Sequence, residues 1–237
     1  MSNKNFERNI GNTDAMSDIA LMRCLVLLVC ASILPFIICS LIIVLWQSIS
    51  AQGESVLFSL CAQIISSLIS LAICAIILRD RIKALFASAK NWRGILSGVA
   101  VGVAIFCASF LLGSLLSHTE NENQAALLRE LSASPLLFAI SSVLITPILE
   151  ELAFRVAIFS PLIKINLPFA YIMSALIFSL MHVDLGAADI WRELISLPNY
   201  LVAGTLLAFS YQKFGFWGSV AAHFTNNLMA MIFSIII

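Results

Sequence analysis

Residues 150 to 155 read EELAFR: two adjacent carboxylates and a guanidinium inside SSVLITPILEELAFRVAIFSPLI, an otherwise apolar run. Ionisable side chains in a lipid-spanning segment cost several kcal/mol each and mark functional sites by default. Helical spacing sorts the three. Glu151 and Arg155, at i and i+4, share a face and can pair. Glu150 lies about 100° further round the helix and points elsewhere. One carboxylate is therefore expected to be neutralised while the other stays available. Pro147, three residues before Glu150, cannot donate a backbone hydrogen bond and is expected to kink the helix. Taken alone, the segment reads equally as a buried ion pair that fixes helix packing.

Two further polar groupings lie in apolar surroundings. His182 ends the run IFSLMH, and Glu150 and His182 each stand 16 residues from Asn166. A helical hairpin turning at Asn166 brings them to the same depth, roughly 20 Å from the turn at ~1.5 Å per residue. His223 and Asn227, in SVAAHFTNNLMAM, are i and i+4 on the last apolar run. An imidazole and a carboxamide on one face can donate hydrogen bonds to a developing oxyanion. Interhelical polar glue is the alternative for each, and Asn226, about 100° away, reads that way. Buried polar groups need partners, so three spans carrying such residues are expected to converge on one cavity. A carboxylate beside an imidazole suits general-base work.

The elements that position these residues are membrane helices. Of 237 residues, 61% are hydrophobic and 11% charged, and mean hydropathy is +1.02; soluble domains carry roughly 25% charged residues. The expected fold is an all-α polytopic membrane bundle of about seven transmembrane helices, over 24–46, 55–78, 95–117, 135–160, 168–183, 197–212 and 216–237. The stretch 184–196, DLGAADIWRELIS, is mildly amphipathic and reads as a surface or re-entrant segment. Lys and Arg asymmetry places the N-terminus inside: Lys4, Arg8, Arg23, Arg79, Arg81, Lys83, Lys90, Arg93, Lys164 and Lys213 fall on one side, Arg129 and Arg192 on the other. The division expected is a tail with three helices over 1–132 and a membrane core over 133–237 that carries all three polar groupings. Gly98 and Gly102 form a GxxxG that permits close helix contact. Cys24, Cys30, Cys39, Cys61, Cys74 and Cys107 lie in apolar runs, with neither CxxC nor neighbouring His, and read as packing residues rather than a disulfide or zinc set. Equal numbers of acidic and basic residues, 13 each, give no sign of a nucleic-acid partner.

Three motifs together carry a resemblance. EELAFR (EExxxR), Phe178-Ser-Leu-Met-His182 (FxxxH) and His223-Phe-Thr-Asn-Asn227 (HxxxN) resemble the signature of the CPBP family, the CAAX-processing and bacteriocin-processing intramembrane proteases also called Abi. The resemblance covers roughly 133–233, and Val156 stands where many members place a glycine. It implies that Glu150 activates water with His182 helping, that His223 and Asn227 hold the oxyanion, and that Glu151, Arg155 and Phe178 support them. The substrate class implied is a membrane-associated, prenylated or leader peptide, and the short loops suggest a bacterial inner membrane. Glu150, His182 and His223 could hold zinc. The HExxH spacing of a typical zinc helix is absent, and chemistry needing no metal is the preferred expectation. Two alternatives stand beside the protease: a non-enzymatic bacteriocin-immunity or partner-binding protein, and a small proton-coupled transporter. Paired interrupted segments in two matching halves, the mark of many transporter folds, are not seen in the sequence.

Overall fold

The computed structural model describes residues 19–50, 55–115, 121–184 and 186–236. Lys4, Arg8 and the rest of the N-terminal tail lie outside them. Among the described residues the chain is helical without strands: α1 (Leu21–Ile49), α2 (Val56–Ile77), α3 (Ile82–Ser88), α4 (Trp92–Leu115), α5 (Glu122–Ala133), α6 (Pro135–Ile163), α7 (Leu167–Leu180), α8 (Ile190–Phe214) and α9 (Phe216–Ile236). Six of these, α1, α2, α4, α6, α8 and α9, are long and apolar enough to cross a membrane. The protein is an all-α, multi-pass integral membrane protein.

The fifth expected span is shorter than hydropathy implied. With 14 residues, α7 rises about 21 Å, against a hydrocarbon core of about 30 Å. It ends at Leu180, leaving His182 in the turn beyond. The sixth span is longer than expected, because the amphipathic stretch is not a separate segment. From Ile190 it is the first two turns of α8, capped by Asp189, whose carboxylate accepts the Arg192 N–H. The basic loop after α2 folds in part into the two-turn α3.

Local sequence explains most helix starts. Ser55, Asn121, Ser134 and Asn166 each present a side-chain oxygen to the backbone N–H three residues on, satisfying one of the orphan donors of a first turn. Pro135 and Pro168 sit in the first turns of α6 and α7, where no N–H is missed.

Pro35, Pro147 and Pro161 do something different. Each is preceded by a π-helical stretch: Val29–Ile33, Ala139–Ile145 and Leu152–Phe159. The residue just before each proline donates five residues back instead of four: Leu34 to the Val29 carbonyl, Thr146 to Ser141 and Ser160 to Arg155. A proline crowds the residue ahead of it and removes its own N–H, and the wide turn absorbs both demands. The kink expected at Pro147 is this π turn. Two of the three wide turns flank Glu150 and Glu151.

One core joins the spans, with Leu27 of α1, Cys74 of α2, Ile105 of α4, Phe159 of α6, Leu207 of α8 and Ala222 of α9 in a single cluster. α4 runs along α9 at glycine distance. A methyl group on Gly98 would strike the Gly218 carbonyl, and one on Gly102 would strike the Ala222 carbonyl and lie 2.7 Å from Thr225 Cβ. Gly215, at φ 80°, is the single residue between α8 and α9, a left-handed conformation that favours glycine. A smaller cluster lays Leu127 and Leu131 of α5 on Phe224 and Leu228 of α9. Among the described residues none of the six cysteines forms a disulfide.

Candidate active site

Glu151 and Arg155 form the expected i,i+4 pair: Arg155 Nε lies 3.1 Å from Glu151 Oε2, with both side chains wholly buried. A buried charge is tolerable only when paired and hydrogen-bonded, and the surroundings supply those bonds. Arg155 Nη1 donates to Ser174 Oγ on α7 at 2.7 Å, and that hydroxyl donates to the Phe154 carbonyl. The guanidinium sits 5.2 Å from the centre of the Phe178 ring, within cation–π range. From α9, Ser219 Oγ hydrogen-bonds Glu151 Oε2, and His223 Nδ1 lies 3.0 Å from Glu151 Oε1. Both oxygens of Glu151 are thus engaged, and a carboxylate on α6 ties down α7 through Arg155 and α9 directly.

Glu150 is placed otherwise. Its side chain is 21% exposed. Its Oε2 atom is itself buried and makes no hydrogen bond among the described residues. That atom faces two imidazole nitrogens, His223 Nε2 at 3.5 Å and His182 Nε2 at 3.8 Å. Both separations exceed a normal hydrogen bond.

The tautomer of His182 follows from its other nitrogen. Nδ1 lies 2.7 Å from the Phe178 carbonyl. A carbonyl only accepts, so Nδ1 carries the proton, and in the neutral ring Nε2 presents a lone pair towards Glu150. His223 is oriented the same way: Nδ1–H goes to the Glu151 carboxylate and Nε2 is left facing Glu150. Phe178 packs against both rings, 4.4 Å from His182 and 6.0 Å from His223 between centroids.

Asn227 is partly committed. Its Nδ2 donates to the Ser142 carbonyl on α6 at 2.9 Å, and its Oδ1 accepts from Asn226, leaving one amide hydrogen for a ligand. The Ser142 bond traces to Pro147. In an unbroken α-helix Thr146 N–H would serve the Ser142 carbonyl; the π turn sends it to Ser141 instead, and Asn227 takes the acceptor released. Asn226, expected to bond between helices, bonds along its own helix.

Sequence reasoning did not single out Ser174, Ser219, Tyr200 or Asn121. Ser219 stands four residues before His223 and Ser174 four before Phe178, so the facing positions of the motifs carried a usable signal. Tyr200 stacks on the His182 ring with centroids 4.8 Å apart, and nothing in its spacing marks it. Glu150 Oε2 and the two Nε2 atoms are donors of the type zinc prefers, yet no group of three or more His, Cys, Asp and Glu among the described residues is disposed to hold a metal ion.

The family model of type II CAAX prenyl endopeptidase Rce1-like proteins matches residues 132–229. The chain is also 36% identical over 115 residues to YdiL of Bacillus subtilis (strain 168), which is named as a candidate membrane peptidase. That match takes in 48% of this chain and 43% of the relative, so the chain spans less than half the length of the curated relative it matches. No solved structure matches. The matched segment holds α6 to α8 and most of α9, with Glu150, Glu151, Arg155, His182, His223 and Asn227 all inside it, and over that segment the chain is similar to the type II CAAX prenyl endopeptidase Rce1-like proteins.

Proposed function

We propose that this protein is an intramembrane endopeptidase in which Glu150 is the general base. The observation that carries the reading is the Glu150 Oε2 atom, buried and without a hydrogen bond, opposite His182 Nε2 and His223 Nε2. A water held there donates one hydrogen to the His182 lone pair and the other to Glu150. When its oxygen attacks the scissile carbonyl carbon, its proton passes to Glu150, and the carbonyl electron pair becomes an oxyanion. His223 reaches that oxyanion through Nε2 when its ring is charged, and Asn227 through its remaining amide hydrogen. Collapse breaks the C–N bond, and Glu150 returns the proton to the departing amine. Glu151 and Arg155 neutralise each other and orient His223; they do not touch the substrate.

The substrate class we propose is a membrane-associated peptide, prenylated or leader-like, processed in a bacterial inner membrane by the 133–237 core with the N-terminus inside. The description of the matching family and the name of the relative support a peptidase, and the exposed Leu21, Val29, Phe36, Leu41 and Leu45 of α1 support work in a bilayer.

The test is cleavage by purified protein in liposomes of two quenched-fluorescent peptides, one ending in a farnesylated cysteine and three further residues, the other a leader peptide. Glu150→Gln is expected to lower kcat by about 10³-fold, within the span of a lost general base, with an unchanged melting temperature. Activity insensitive to chelator fits water activated by Glu150. Loss on chelation, reversed by added zinc, overturns the metal-free step. Full activity in Glu150→Gln overturns the role of Glu150. Binding without any cleavage by wild type favours the immunity-protein alternative.

A further inference from the structure

His182 is the one member of the candidate machinery that no helix holds. α7 ends at Leu180, and the His182 backbone N–H bonds only to the Ser179 carbonyl in the closing turn. Its ring must nevertheless keep Nε2 towards Glu150. Three contacts do this. Phe178 provides the carbonyl for Nδ1 and one ring face. Tyr200, on α8, stacks on the ring with planes 27° apart. Asn121, ahead of α5 and almost fully buried, donates through Nδ2 to the His182 carbonyl at 3.2 Å.

Tyr200 is itself braced. Its hydroxyl accepts from Asn123 Nδ2 at 3.1 Å and lies 3.4 Å from Asn121 Nδ2. Asn121 Nδ2 also meets Ser196 Oγ at 3.0 Å. The segment that carries both asparagines is pinned by Glu193, a buried carboxylate on α8 that accepts the backbone N–H of Glu122 at 2.8 Å and of Asp184 at 2.9 Å. These bonds tie together the turn that contains His182, the ring that covers it and the segment ahead of α5 that carries both asparagines.

We propose that Tyr200, anchored by Asn121 and Asn123, is a positioning residue that holds His182 in the Nδ1–H tautomer with Nε2 towards Glu150. Asn121 and Asn123 lie before residue 132, outside the matched segment, so the segment around α5 completes a site that the family match does not cover. The kinetic part of this inference rests on the peptidase reading, whereas the geometric part stands without it.

The chain has three histidines, so selective ¹⁵N-histidine labelling in lipid nanodiscs gives three ring spin systems, with His182→Gln assigning the one of interest. In wild type, His182 shows one protonated and one lone-pair nitrogen. Tyr200→Leu is expected to average the two towards mixed tautomers. With the farnesylated peptide it lowers kcat about three- to tenfold, the worth of one aromatic pair expressed as a rate, with KM within about twofold. Tyr200→Phe keeps the stack but loses the hydroxyl that Asn121 and Asn123 hold, so it is expected to recover both readouts only in part, between Tyr200→Leu and wild type. Unmoved His182 shifts in Tyr200→Leu overturn the proposal even if kcat falls, since Tyr200 would then only pack. If Tyr200→Leu does not fold, Asn121→Ala decides in its place, by moving the same resonances or leaving them. A wild type that cleaves nothing defeats the peptidase reading, while the ring shifts still decide the positioning.

Discussion

α9 is held by two seams of opposite chemistry. Towards α4 the contact is dry: Gly98 and Gly102 bring the backbone against the Gly218 and Ala222 carbonyls with no room for a methyl group. Towards α6 it is polar: Ser219 and His223 bond to Glu151, and Asn227 to Ser142. Close packing of small residues sets how near two helices come, but it specifies poorly which rotation about the axis is correct. Directional bonds from one carboxylate specify rotation, and would hold badly at a variable distance. The comparison teaches a division of labour: the glycine seam fixes where α9 lies, and the Glu151 seam fixes which way His223 faces.

That division can be broken from either side. The largest effect is expected for Glu151→Gln. It leaves Arg155 as a buried unpaired cation, and breaking such a pair costs about 3 kcal/mol or more. Thermal unfolding in detergent should show the loss, and cleavage should vanish with it. Next comes Gly98→Ala, where one added methyl forces backbone from backbone. Overpacking of this kind costs about 2 kcal/mol, so a drop in melting temperature is expected while the residual folded fraction keeps the His223 ring signature. A melting temperature equal to wild type would show that the dry seam does not set the spacing.

The smallest effect probes a pair remote from both seams. Arg23, on α1, bonds bidentately to Asp80 beyond α2, at 2.9 and 2.6 Å. The Arg23 hydrogen bonds lower the Asp80 carboxyl from 3.8 to about 2. A lowered carboxylate contributes stability above its unfolded value and loses it as pH falls through its folded one. Asp80→Asn should therefore narrow its gap from wild type between about pH 4 and about pH 2. The pair is exposed and worth little, so melting curves at both ends of that window are needed, and a gap independent of pH would exclude the linkage.

Much of this was legible in the residues. Hydropathy located the long helices because a lipid-spanning segment has few ways to hide a charge. The 3.6-residue period separated Glu150 from Glu151 before any coordinates, and the symmetric count about Asn166 brought Glu150 and His182 to one depth. The limits of α7 and α8 were not legible. Arg192 and Glu193 depress hydropathy at the start of α8, yet Glu193 is buried there, its charge spent on the backbone N–H groups of Glu122 and Asp184. Tyr200 and Asn121 escaped notice because they act through tertiary contacts 79 residues apart, and no local period encodes such a meeting. The π turns were half-legible: Pro147 inside its apolar run announced a kink, but not that it would take the form of a wider turn, and nothing marked Pro35 or Pro161.

The wide turn ahead of Pro147 also bears on how the protein is made. While α6 stands alone in the bilayer, its Ser142 carbonyl has lost its own helical donor, and an unsatisfied backbone group in hydrocarbon costs several kcal/mol. The group that completes it, Asn227, is synthesised 85 residues later. The nascent chain thus carries an open acceptor until α9 arrives, and docking of the last helix is rewarded at Asn227, the residue proposed to hold the oxyanion. Biogenesis and competence close in the same step: the chain is fully bonded only when its candidate site is assembled.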